Sequence, residues 1–143
     1  MEHSWLIFAL LSAFTGGLVA IFGKIGLQGI DTNTATAIRA VIMALFLIAV
    51  ILFQGKFHDI KPILANSRAL LFITLSGVAG ALSWLFYFVA LKNGKVSQIV
   101  PVDRLSIVFA LVLALIILGE KLSLKIWFGA ALMILGSIII ALG

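Results

Sequence analysis

The chain has 143 residues, 64% of them hydrophobic and 10% charged, with a formal net charge of +5; its mean hydropathy is +1.31 and its pI about 10.0. Soluble domains average about 45–50% apolar and about 25% charged residues, so this composition excludes a soluble globule, whose apolar residues its polar ones could not cover. An integral membrane protein is the class that remains.

The basic excess does not point to nucleic acid. A nucleic-acid footprint needs Lys and Arg clustered on one face. Here Lys56, Lys61, Arg68, Lys92, Lys95, Lys121 and Lys125 sit between apolar runs, where headgroup anchors belong. Cysteine is absent, so no disulfide or thiolate site exists. No Lys or Arg precedes the first apolar run, so that run is read as mature structure rather than a secretory signal.

Five apolar runs, at about 5–25, 34–53, 69–91, 97–118 and 124–142, are each long enough to span a hydrocarbon core of about 30 Å. Only helices and closed barrels satisfy the backbone in lipid, and these runs lack the alternation of barrel strands. The expectation is an all-α bundle of five transmembrane helices forming a single domain over 1–143.

The first helix carries Ala13, Gly17, Ala20 and Lys24 on one face, where small residues let another helix approach. Beyond it, Gly23, Gly26 and Gly29 recur at three-residue spacing. The run G-K-I-G-L-Q-G lacks the GK[ST] order and the preceding strand of a phosphate loop, so close packing or a loosened helix end is expected instead. The second helix is entered through Asp31-Thr32-Asn33, good capping chemistry. Thr32, Thr36, Arg39 and Met43 then lie along one stripe. Arg39 sits about a turn and a half inside, and either snorkels to the interface or serves a site. The loop 54–68 holds Gly55, Pro62 and most of the free charge.

On the third helix Ser76, Gly80, Ser83 and Tyr87 share one side with Trp84 beside them, while Ser76/Gly80 and Gly77/Ala81 form small-xxx-small pairs. The polar stripe either lines a cavity or leaves Trp84 and Tyr87 to an interfacial aromatic belt. Gly94 ends the helix in a turn with basic flanks.

The fourth span runs S-Q-I-V-P-V-D-R-L-S from Ser97 and carries the chain's most expensive residues, Asp103 and Arg104. A charge at bilayer depth costs about 2.5–3.5 kcal/mol on insertion scales. Pro101 withholds a donor from the carbonyl of Ser97, so the helix either bends there or begins at Pro101. In the second case Asp103 is a dipole-stabilised first-turn residue. On a continuous helix Asp103 shares a face with Ser106, Ala110 and Ala114, and Arg104 points about 100° away. The fifth helix is expected to be capped by Ser123, anchored by Trp127 and packed through Gly129 and Gly136.

No catalytic set stands out: His3 and His58 have no partner at metal-ligand spacing, and no acid pair or activated nucleophile is present. Neither enzyme activity, a cofactor nor a metal is expected. The ionisable groups at membrane depth are Lys24, Arg39, Asp103 and Arg104, which mark a solute pathway or binding site. Three positive charges against one negative favour an anionic or carboxylate-bearing, including zwitterionic, solute. Thr36, Ser83, Trp84 and Tyr87 complete the candidate substrate-binding or coupling set, with Ser97 and Pro101 as the helix break. Asp103 is the candidate for proton coupling. The competing reading is a non-transporting accessory or assembly subunit whose charges pair with another membrane protein.

Tyr87-x-x-Ala90-Leu91-Lys92-x-Gly94-x-Val96-Ser97, then Pro101, Val108-Phe109-Ala110, Leu118-Gly119-Glu120-x-Leu122-Ser123, Gly129-Ala130 and Gly136 resemble one half of the EamA-type drug/metabolite transporter superfamily. Gly23-Lys24 and Arg39 fit the same pattern. Most members are ten-helix chains of two such halves; this sequence has one, and its charged Asp103-Arg104 is similar to the single-copy, five-helix bacterial and archaeal branch. The resemblance implies a secondary transporter of a small organic solute built as half of an inverted-repeat fold. An odd helix number inverts a tandem copy, so a single copy is expected to find its other half as a homodimer. Five cationic residues on the N-terminal side of the membrane against three opposite favour a cytoplasmic N-terminus in the cell (inner) membrane.

Overall fold

The computed structural model describes residues 4–143; His3 lies outside them. Every regular element among the described residues is helical: α1 (Ser4–Gly26), α2 (Thr32–Phe53), α3 (Ile60–Ala65), α4 (Ser67–Asn93), α5 (Val96–Asp103), α6 (Ser106–Leu113) and α7 (Leu124–Leu142), with a 3-10 turn at Phe57–Asp59 and a π-helical turn at Ala114–Leu118. Five stretches are long and apolar enough to cross a membrane, with α5, α6 and the π turn together making the fourth. The five-span, all-α expectation holds.

Within the chain itself, at most 11% of the apolar core of any span is buried. Lipid tails are as apolar as Leu, so nothing drives these surfaces away from the bilayer. The fold therefore depends on local polar contacts, which differ in its two compact units, residues 26–92 and residues 4–25 with 93–143.

In the unit 26–92, α2 begins two residues earlier than its apolar run because Asp31 caps it. The Asp31 carboxylate accepts from the Thr34 backbone N–H at 2.8 Å and from the Thr34 hydroxyl at 2.9 Å. The far end closes in a Schellman turn: Gly55 takes φ +66°, its N–H reaches the Leu52 carbonyl, and the Lys56 N–H reaches Ile51. The loop 54–68 is more ordered than its composition suggests. Pro62 falls in the first turn of α3, where its missing N–H has no intrahelical partner to lose. Asn66 then caps α4 through the Ala69 N–H at 3.1 Å. Lys92, at the other end of α4, donates to the Ile30 carbonyl at 3.0 Å and ties down the turn before α2.

In the second unit α5 packs on α7, where Ala130 and Ser137 are buried. The packing face of α7 runs through these two residues, with Gly129 and Gly136 half-buried beside it. Ser123 occupies the N-cap position of α7, but its hydroxyl makes no capping bond; its carbonyl accepts from Ile126 and Trp127 instead. The small-residue face of α1, expected to close against a helix, does so at Ala20, which is buried, and stays open towards Ala13 and Gly17. Ala13, Gly17 and Ala20 line a cavity of about 530 Å³ with Val96, Ser97, Val100 and Pro101 of α5. Beyond its chain neighbours and the adjacent backbone of α1, no described atom lies within 4 Å of where a Gly17 Cβ would stand.

The Asp31 cap gives acid-dependent stability. The Thr34 backbone N–H, then the Thr34 hydroxyl, hold the Asp31 carboxyl below its ordinary 3.8. A depressed carboxylate stabilises the fold fully above its unfolded value and loses that contribution as pH falls through the folded value. Asn caps about as well as Asp but does not titrate. The melting temperature of the wild type is expected to exceed that of Asp31→Asn near neutral pH, and the gap to close as pH falls from about 5 to about 2. Thermal melts of both proteins across that range check this.

Candidate solute-binding site

In the unit 26–92, α2 and α4 flank an open-sided cavity of about 530 Å³. Asn33, Thr36, Arg39 and Met43 face it from α2, and Gly77, Gly80, Ala81 and Trp84 from α4. Arg39 does not simply snorkel out. Its guanidinium carbon stands 3.5 Å from the Trp84 ring centroid and 5.0 Å from that of Phe88, a cation–π stack. Trp84 is fixed in turn: Tyr87 meets it edge-on, centroids 5.6 Å apart at 89°, and Phe88 lies 5.5 Å away. The Thr36 hydroxyl donates to the Thr32 carbonyl at 2.7 Å, so its proton is committed and its oxygen is left as an acceptor.

Thr36, Arg39 and Trp84 of the candidate set thus line one cavity, while Tyr87 braces it from behind. Ser83 is exposed and not among the lining residues. Of the side expected on α4, Gly80 and Trp84 face the cavity while Ser76 and Ser83 do not; Gly77 and Ala81 line it beside them. Phe88 was not foreseen. It is the i+4 neighbour of Trp84 and is 3% exposed, so the spacing of two aromatics was the available signal.

The other candidates lie in the unit 4–25 with 93–143. Lys24 donates to the Gly94 carbonyl at 2.9 Å, holding the turn between α4 and α5. Pro101 is not a first-turn residue: α5 starts at Val96, with Lys95 as its cap, and encloses Pro101. Asp103 accordingly ends α5 rather than opening a helix. The break falls a turn beyond the proline, at Arg104 and Leu105. The Leu105 N–H bonds to Val102, and Ile107 and Val108 likewise reach back three residues, to Arg104 and Leu105. The Pro101 carbonyl, which Leu105 would meet in a continuous α-helix, instead accepts from the buried Ser137 hydroxyl of α7 at 2.9 Å. Ser137 was missed at the sequence level, although it is the one hydroxyl inside an otherwise apolar α7.

Asp103 is half-buried and Arg104 exposed, and among the described residues neither side chain forms an ion pair or hydrogen bond. Gly16 makes room for Arg104: a Cβ there would stand 3.4 Å from its Nη2. No cluster of three or more His, Asp or Glu able to hold a metal occurs among the described residues.

Broken helices and charges at membrane depth are features that recur in membrane transporters. The EamA-like transporter family model matches residues 3–142. The chain belongs to that family. It is 40% identical over 141 residues, 99% of either chain, to a protein of Sinorhizobium sp described as an uncharacterized transporter in the cobO 3′ region. No solved structure matches it. As an EamA-like protein it is a multi-pass membrane transporter.

For this EamA-like transporter the Ser137–Pro101 bond is the contact that stabilises the break. Hydrogen bonds between membrane helices average about 0.6 kcal/mol and reach about 1.7. Ser137→Ala is expected to lower unfolding free energy in detergent by that amount and to speed amide exchange at 104–108. Unfolding titration and exchange mass spectrometry read the two effects.

Proposed function

We infer that the protein is a secondary transporter of a small organic anion or zwitterion, working as a homodimer in the cell membrane with its N-terminus in the cytoplasm. The observation that carries this reading is the Arg39 guanidinium stacked on Trp84 in a cavity with no acidic residue in its lining. A fixed cation at that depth is kept for a function, and its natural counterion is the solute. The dimer reading draws on the small fraction of each span buried within one chain. The single domain over 1–143 is part of the same proposal.

Proton coupling is assigned to Asp103. It is the one carboxylate well inside a span, it sits beside the break in the fourth span, and unlike a guanidinium it can change its charge there. Flux of organic anions into vesicles containing the purified protein tests the reading. Accumulation driven by an imposed pH gradient is expected, and Asp103→Asn is expected to fold normally and lose it. If no anion moves and a membrane protein co-purifies tightly instead, the chain is an accessory subunit.

Orientation has its own measurement. Lys56, Lys61, Arg68, Lys121 and Lys125 lie on the N-terminal side by helix parity, against Lys24, Lys92 and Lys95 opposite, and basic residues favour the cytoplasm. A reporter fused after Gly143 is expected to read on the outside only; equal reading from both sides would show dual topology, which an antiparallel dimer requires.

A further inference from the structure

We propose that the α2–α4 cavity binds a compact monocarboxylate with an apolar body, its carboxylate on Arg39, and discriminates against zwitterions. This deepens the transporter reading and rests on it.

Charge comes first. Arg39 is the only ionisable residue lining the cavity. Its flat face is taken up by Trp84 at 3.5 Å, which leaves the in-plane N–H donors at the guanidinium edge. Among the described residues no hydrogen-bond acceptor meets them. A planar fork of donors fits a carboxylate with two parallel bonds. One monoanion neutralises the site, whereas a dianion would bring a second charge with no counterion.

The rest of the lining decides the remainder of the molecule. The Thr36 proton is committed to Thr32, so the polar side chains other than Arg39 offer a threonine oxygen, the Asn33 amide and the Trp84 indole N–H. None of these carries negative charge. The ammonium of an amino acid would leave water without an ion-pair partner, a costly transfer. The walls are otherwise apolar and small, with Gly77, Gly80 and Ala81 leaving the space that the solute body fills. About 530 Å³ lies inside the range of small-molecule sites, about 300–1,000 Å³.

Binding to the full chain in phosphatidylcholine nanodiscs distinguishes the possibilities, with 3-phenylpropanoate, phenylalanine (the same skeleton plus an ammonium) and 3-phenylpropanamide as probes. The acid is expected to bind about tenfold or more tightly than either, the factor that charge-assisted hydrogen bonds carry. Arg39→Gln should erase that advantage while leaving the amide's affinity in place, a readout that general misfolding would not give. Hexadecanoate is the membrane-borne source of the same head group, and it should not displace 3-phenylpropanoate. Phenylalanine binding as tightly as the acid overturns the monocarboxylate assignment and leaves the transporter reading standing. Displacement by hexadecanoate shows a lipid site and overturns the compact solute. If none of the probes binds while vesicles still transport another anion, this cavity is not the solute site. No binding and no flux of any anion removes both readings.

Discussion

Inside a bilayer a polar group cannot turn to water, and much of this structure follows from where its polar groups turn instead. The Pro101 carbonyl, released where the fourth span changes its hydrogen bonding, is taken by Ser137 of α7. The turns between spans are held in the same way, Lys24 on Gly94 and Lys92 on Ile30. Within α2 the buried Thr36 returns its proton to Thr32. Each bond is modest by itself, yet hydrophobic burial contributes little between helices already dissolved in hydrocarbon. A few bonds therefore define contacts that, in a soluble protein, dozens of apolar side chains would define.

Arg39 is the residue for which this accounting does not close. Placing it about 10 Å along α2 costs about 2.5–3.5 kcal/mol on insertion scales, and stacking on an aromatic face recovers about 0.5–1 when exposed and about 2 when desolvated. The stack on Trp84 thus offsets part of the cost and leaves the donors at the guanidinium edge. Under the transporter reading, that residual is the reason the cavity prefers an anion: the solute completes an electrostatic environment that the chain leaves incomplete. Tyr87 and Phe88 contribute by fixing the ring, since a Trp84 free to rotate would not hold the guanidinium flat.

The spans and the cap of α2 were legible from local chemistry, whereas the hydroxyl of Ser123 makes no capping bond. Apolar length marks the five helices, and Asp31 announces the start of α2 because a cap acts within three residues. Thr36, Arg39 and Met43 could be placed on one face of α2 by periodicity alone. Which face of α4 they meet could be placed only in part. Gly80 and Trp84 of the expected side meet the cavity, but Ser76 and Ser83 do not; in lipid it is small side chains that allow approach and leave space, and Gly77 and Ala81 take their place. Ser97 and Pro101 were read as the break, but α5 runs through both and the irregular bonding falls at Arg104 and Leu105. At the break the Leu105 N–H bonds to Val102, and Ser137, 36 residues beyond Pro101, donates its hydroxyl to the carbonyl left free. Contacts of that range leave no periodic trace.

Asp103 and Arg104 straddle this break, and their chemistry separates their proposed roles. Non-helical backbone at membrane depth is tolerated where it lies against protein or lines a cavity, and interrupted helices recur at transporter sites for that reason. Arg104 brings a charge that no proton exchange removes, and Gly16 of α1 leaves the space its head group occupies. A cycle that moves an anion by proton coupling needs one charge that stays and one that alternates. Under the proposed proton-coupled reading, the first is assigned to Arg39 in the α2–α4 cavity and the second, of the two neighbours at the break, to the half-buried Asp103 at the last residue of α5.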